Sequence, residues 1–140
     1  MTRGVLSLRS LLERPVVLQG IRLGDPTDVV LDSLSLRAIG LEVHCRDEVS
    51  RFLPLPAARV GDGHLAVGSA LMLFEDQEFY RRHALEFRSL CGSAVERDGD
   101  VLGELTDLLV DGEGRPVEIQ IGSNGSTTRV TIDRSVSIRV

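Results

Sequence analysis

Residues 6–32 read LSLRSLLERPVVLQGIRLGDPTDVVLD, and residues 85–111 read LEFRSLCGSAVERDGDVLGELTDLLVD. Laid over each other at an offset of 79, they agree at eleven of 27 positions without a gap. The identities include Leu6/Leu85, Arg9/Arg88, Gly20/Gly99, Gly24/Gly103, Thr27/Thr106 and Asp28/Asp107. After one deletion the offset becomes 78, and Arg37 meets Arg115, Leu41 meets Ile119, Val43 meets Ile121 and Arg51 meets Arg129. Self-similarity at one fixed shift marks a duplicated structural unit. Glycines respect the division: seven fall in 1–73, none in 74–89 and seven in 90–140.

Each copy carries the period of a half-buried strand. Ile39, Leu41, Val43 and Cys45 alternate with Gly40, Glu42 and His44, and Val117, Ile119 and Ile121 repeat the pattern. Val130 and Ile132 continue it, as do Val136, Ile138 and Val140. Between these runs stand turn signals: Gly61-Asp62-Gly63, Asp98-Gly99, Asp111-Gly112-Glu113-Gly114 and Ser123-Asn124-Gly125. The expected class is mainly β, with two small antiparallel barrels, since closure removes exposed sheet edges. Asp28 and Asp107 precede apolar triplets and are expected at strand starts, bonded to nearby backbone.

The joining segment reads differently. In 75–90, Tyr80, Ala84, Phe87 and Cys91 recur at helical spacing, with Glu75, Asp76 and Glu78 at the start and Arg88 near the end. One amphipathic helix is expected there, packing both barrels together. The organisation is then a first barrel over 1–73, a linker helix over 74–89 and a second barrel over 90–140.

Composition narrows the function classes. Sixteen arginines face 21 acidic residues and there is no lysine, for a net charge of −5. By segment the charge is zero for 1–73, −1 for 74–89 and −4 for 90–140, so no part is basic and direct nucleic-acid binding is not expected. The longest weakly polar run, LAVGSALMLF at 65–74, is half the ~20 residues a membrane helix needs. Arg9, Glu13 and Arg14 break the N-terminal apolar stretch before it resembles a secretory signal. A cytoplasmic location and two free thiols, Cys45 and Cys91, are expected.

Catalytic patterns are missing from the string. It contains no GxxxxGK[ST], GxGxxG, GxSxG, HExxH or CxxC. His44, His64 and His83 are dispersed, and Asp28, Asp32, Asp107 and Asp111 lack calcium-loop spacing. No enzyme activity, cofactor or metal is expected. Phe79-Tyr80-Arg81-Arg82 is the one concentrated aromatic and basic cluster, of residue types enriched at interface hot spots.

The repeated words resemble the PRC-barrel family. They are Leu11-Leu12-x-x-Pro15-Val16-Val17, then Gly20-x-x-Leu23-Gly24-x-x-x-Asp28-Val29-Val30-Leu31-Asp32, then Arg51-Phe52-Leu53-Pro54-Leu55-Pro56 and 60–67. That family includes the cytoplasmic barrel of the photosynthetic reaction-centre H subunit and the C-terminal domain of a ribosome maturation factor. The resemblance implies the barrel fold but no chemistry, because its members do unrelated jobs. It points to a non-catalytic adaptor that binds a protein partner; the alternative is a ribosome-maturation or RNA-metabolism factor acting through protein contacts.

The second copy departs from the first at its end. At the 78 offset Val140 meets Asp62, so no counterpart of the strand at His64–Val67 follows. The second barrel is expected to stay open beside its last strand. Ile138 and Val140 would then offer that edge to a second chain, giving a two-fold homodimer.

Overall fold

The computed structural model of the chain describes residues 4–76, 78 and 82–139. Its elements are mainly β. In the first half, β2 (Val16–Leu18), β3 (Ile21–Asp32), β4 (Ala38–Cys45), β5 (Ser50–Pro54), β6 (Ala58–Gly61) and β7 (His64–Val67) form a sheet ordered β5-β4-β3-β2-β7-β6. In the second, β9 (Ala94–Arg97), β10 (Asp100–Val110), β11 (Pro116–Ser123), β12 (Ser126–Thr131) and β13 (Val136–Ile138) run β12-β11-β10-β9-β13. The turn residues are where the sequence placed them. Gly20 and Gly99 have φ of 82° and 88°, and Asn124-Gly125, at 50° and 80°, close the β11–β12 hairpin.

Neither sheet closes into a barrel, contrary to expectation. Among the described residues the end strands β5 and β6 do not pair with each other, nor do β12 and β13. In the first sheet the free edge of β5 is taken by Phe74 instead. Short helices plug the openings that backbone pairing leaves. Leu8 and Leu11 of α1 (Leu8–Leu12) and Phe87 and Leu90 of α2 (Phe87–Leu90) are fully buried. They join one apolar cluster with Val29, Leu41 and Leu53 from the first sheet and Leu105, Leu108 and Ile119 from the second.

The single helix expected over 75–90 is corrected at its far end; residues 77 and 79–81 of that span lie outside the described residues. Residues Ala84–Glu86 are a strand, β8, which pairs antiparallel with Val30, Leu31 and Asp32 of β3; only Phe87–Leu90 is helical at this end. A partner edge far away in sequence outweighs the local helical spacing. Register shifts at Pro26/Asp28 and Val30/Leu31 show that β3 is bulged along this stretch.

The two halves reach into each other. β1 (Leu6–Ser7) pairs with Val110 and Leu109 of β10, while β8 pairs with β3. The buried Asp107 accepts at Oδ1 from Arg9 N (3.2 Å) and Leu108 N (2.8 Å), and at Oδ2 from the Ser7 hydroxyl. The buried Asp28 accepts at Oδ1 from Arg88 N (3.0 Å) and Val29 N (2.8 Å). Arg9 Nε donates to Thr106 O, and Arg88 Nε to Thr27 O. Every one of these residues except Ser7 has its counterpart 79 positions away in the same role. The two aspartates therefore stand inside strands, beside bulges, rather than at strand starts.

The last strand, β13, is an end strand of the second sheet, so among the described residues the sheet stays open beside it as expected. A turn held by the Asp133 carboxylate, which accepts from Ser135 N and Oγ, brings residues 136–139 back along β9. Val136, Ser137 and Ile138 pair antiparallel with Arg97, Glu96 and Val95, and Arg139 N donates to Ala94 O at 2.8 Å. β13 thus fills the slot beside β9 that β7, running parallel, fills beside β2.

Candidate functional site

Of the residues singled out from the sequence, Phe79, Tyr80, Arg81 and Val140 lie outside the described residues. Arg82 is exposed just before β8, on the first sheet's side. Ile138 is half-buried against the core in β13, on the second sheet. The structure therefore places the two on different sheets; Ile138 pairs with Val95 on one side of β13, and the other side is the open end of the sheet among the described residues. Arg139, next to it, pairs with Glu96 at 2.5 Å.

A different surface gathers chemistry, and the sequence reading missed it. The start of β3, the β4–β5 turn and residues 70–75 enclose an open groove of about 630 Å³. Its floor is Leu23, Cys45 and the buried Leu73. Leu71 stands on the rim with 83% of its surface exposed, and Phe74 with 39%. Serine chemistry explains the placement of Leu71: Ser69 Oγ accepts from Leu71 N (3.1 Å), starting a short 3-10 turn over Ala70–Met72 that turns Leu71 out and Leu73 in.

Three arginines, Arg22, Arg46 and Arg51, line the same groove. Arg51 is fixed: Nη1 and Nη2 donate to Asp47 Oδ1 (2.9 Å) and Oδ2 (2.7 Å), and Nη2 also reaches Glu75 Oε1 (3.2 Å). That two-pronged contact holds the Asp47 carboxyl down to about 2, chiefly through the Arg51 side-chain bond. Arg22 pairs with Asp25, three residues further along β3. The groove is amphipathic, with a fixed cation and an apolar ledge side by side. The only hint in the sequence was LAVGSALMLF, an apolar run with too few buried places to go.

Nucleophile and metal chemistry find little support in the geometry. Among the described residues no three His, Cys, Asp or Glu side chains converge as a metal site. Burial pushes the half-buried Cys91 thiol up, even though Arg9 Nη2 lies 3.7 Å away. Cys45 is buried, and His44, its neighbour, is exposed and bonds Glu48 Oε2 at 3.0 Å. No helix among the described residues is long and apolar enough to cross a membrane. Compared with known proteins, the chain matches no family model and no curated protein.

Proposed function

We propose that this chain is a non-catalytic interaction module, made of two duplicated PRC-barrel-like units that hold a protein partner. The observation that carries the reading is the apolar ledge of Leu71 and Phe74 beside the fixed Arg51. Large exposed apolar groups rimmed by charge are what interfaces use and what solvent alone does not favour. Support for the duplication comes from the matched bonds of Arg9 with Asp107 and Arg88 with Asp28.

The test is co-purification of the tagged full chain from its own cells, beside a Leu71→Asp variant. Leu71 is exposed, so the change leaves the melting temperature within about 2 °C. A partner recovered stoichiometrically with the parent chain and lost with the variant is the expected result. Light scattering distinguishes a foreign partner from a second copy, because the chain alone weighs 15.3 kDa. A reproducible turnover by the pure protein, or no partner at all, overturns the proposal.

A further inference from the structure

The outer edges of the two sheets are finished differently. β5 is one of the two end strands of the first sheet. Cys45 N donates to Val49 O (3.0 Å), which sets the alternation so that Ser50, Phe52 and Pro54 turn their backbone groups away from β4. The outward groups of Phe52 are used: Phe52 N donates to Phe74 O and Phe74 N to Phe52 O, both at 2.8 Å. Pro54 has no N–H to offer. Phe52 and Leu53 are fully buried under this cover.

β12 holds the same place in the second sheet. Glu42 faces Phe52, and Gln120, 78 positions on, faces Arg129. Gly40 faces Pro54, and Glu118 faces Thr131. The counterpart of Phe52 is thus Arg129, and that of Pro54 is Thr131, one position off the alignment of Arg51 with Arg129. Ile132 N donates to Val117 O at 3.1 Å, so Thr127, Arg129 and Thr131 direct their N–H and C=O groups outward. No backbone group of the described residues pairs with them. Arg129 is exposed and Val130 only half-buried.

Building on the protein-contact reading above, we propose that β12 receives an extended segment of a partner protein, paired antiparallel, with an acidic side chain opposite Arg129. Strand addition to an open edge is a common mode of peptide recognition. The first sheet supplies the template, since Phe74 is an extended residue bonded antiparallel at the equivalent position. The edge lacks the usual protection: no proline interrupts Ser126–Thr131, and Arg129 is its one charge. Arg129 has no ion-pair partner among the described residues. A second copy fits worse, because antiparallel pairing of two β12 strands about Arg129 sets two guanidiniums directly opposite each other.

The test uses the full chain, labelled with ¹⁵N, and a blocked peptide of sequence TVEVT, with TVKVT as its control. The acidic peptide should slow amide exchange at Thr127, Arg129 and Thr131 about tenfold, leaving the inward amides of Thr128 and Val130 unchanged. TVKVT should bind about fivefold more weakly, as expected for reversing one cross-strand charge pair. Arg129→Glu should invert that order. Thr131→Pro should weaken the acidic peptide while keeping the fold, since Pro54 occupies the matching place in the first sheet. No protection at millimolar peptide, equal binding of both peptides, or slow outward amides in the free chain each overturns the inference. None of these results touches the Leu71→Asp test, so this edge and the wider reading fail separately.

Discussion

Replacing Asp28 by alanine tests how firmly one half holds the other. The carboxylate is buried, and its Oδ1 accepts from two backbone N–H groups, Val29 at 2.8 Å and Arg88 at 3.0 Å. Alanine orphans both donors. Each lost bond to a buried carboxylate costs about 1.5 kcal/mol or more, and the relieved desolvation of the carboxylate offsets part of that, so about 3 kcal/mol is expected. For a chain of this length that lowers the midpoint by about 10 °C. Asp28→Asn keeps that oxygen and so both bonds, losing only their charge assistance, and should cost about half as much. Because Arg88 belongs to α2, the loss is shared: calorimetry should show one transition, shifted as a whole. Two resolved transitions with only one moved, or a loss below about 1 kcal/mol, would refute the argument.

Three further outcomes are expected. Phe87→Ala, at a fully buried site between the sheets, should cost about 3–5 kcal/mol and lower the same single transition in a thermal scan. Gly114→Ala should destabilise measurably in urea, since Gly114 has φ of 86° and a Cβ there would lie 2.4 Å from Ala38 O, the residue whose N–H bonds Gly114 O across the halves. In a carbon-detected NMR titration the Asp47 carboxyl should titrate near 2, and Arg51→Gln should return it towards its ordinary 3.8. The sign follows from the lowered folded value. This ion pair adds stability above the unfolded midpoint, and the contribution fades as pH falls from about 4 towards 2; an unchanged titration in the variant would contradict the assignment.

Much of the architecture was legible in the chain, and the misses share a cause. Strand β4 announced itself by the alternation of Ile39 to Cys45, and the hairpin turns by Asp98-Gly99 and Asn124-Gly125. The stretch 84–90 was misread because Tyr80, Ala84, Phe87 and Cys91 carry helical spacing. Yet the 79-residue offset already lays Leu85–Leu90 over Leu6–Leu11, and both become a strand followed by one helical turn. Pairing with β3, 52 residues back, decided the matter, and no local window contains that partner. The fill of the β9 slot by β13 was equally invisible, because it reverses the strand direction seen beside β2. The groove at Leu71 left only a faint mark, an apolar run. The open edge of β12 left no such mark, because the 78 offset lays Pro54 over Ile132 and only the strand pairing sets Thr131 in its place.

The exchange of β1 and β8 between halves has a consequence for synthesis on the ribosome. Asp32 is made 52 residues before Ala84, its partner, and Leu6 waits 104 residues for Val110. At about 5–20 residues per second, the growing chain carries half-finished sheets for roughly 3–10 s and then 5–20 s. During that wait Val30 and Leu31 present an unsatisfied edge, and the pocket for Phe87 and Leu90 stands empty. The nascent first half is therefore the form most exposed to chaperones and to wrong pairing with a neighbouring nascent chain. Slowing translation between codons 33 and 84 should raise insoluble product more than the same pause placed after codon 110.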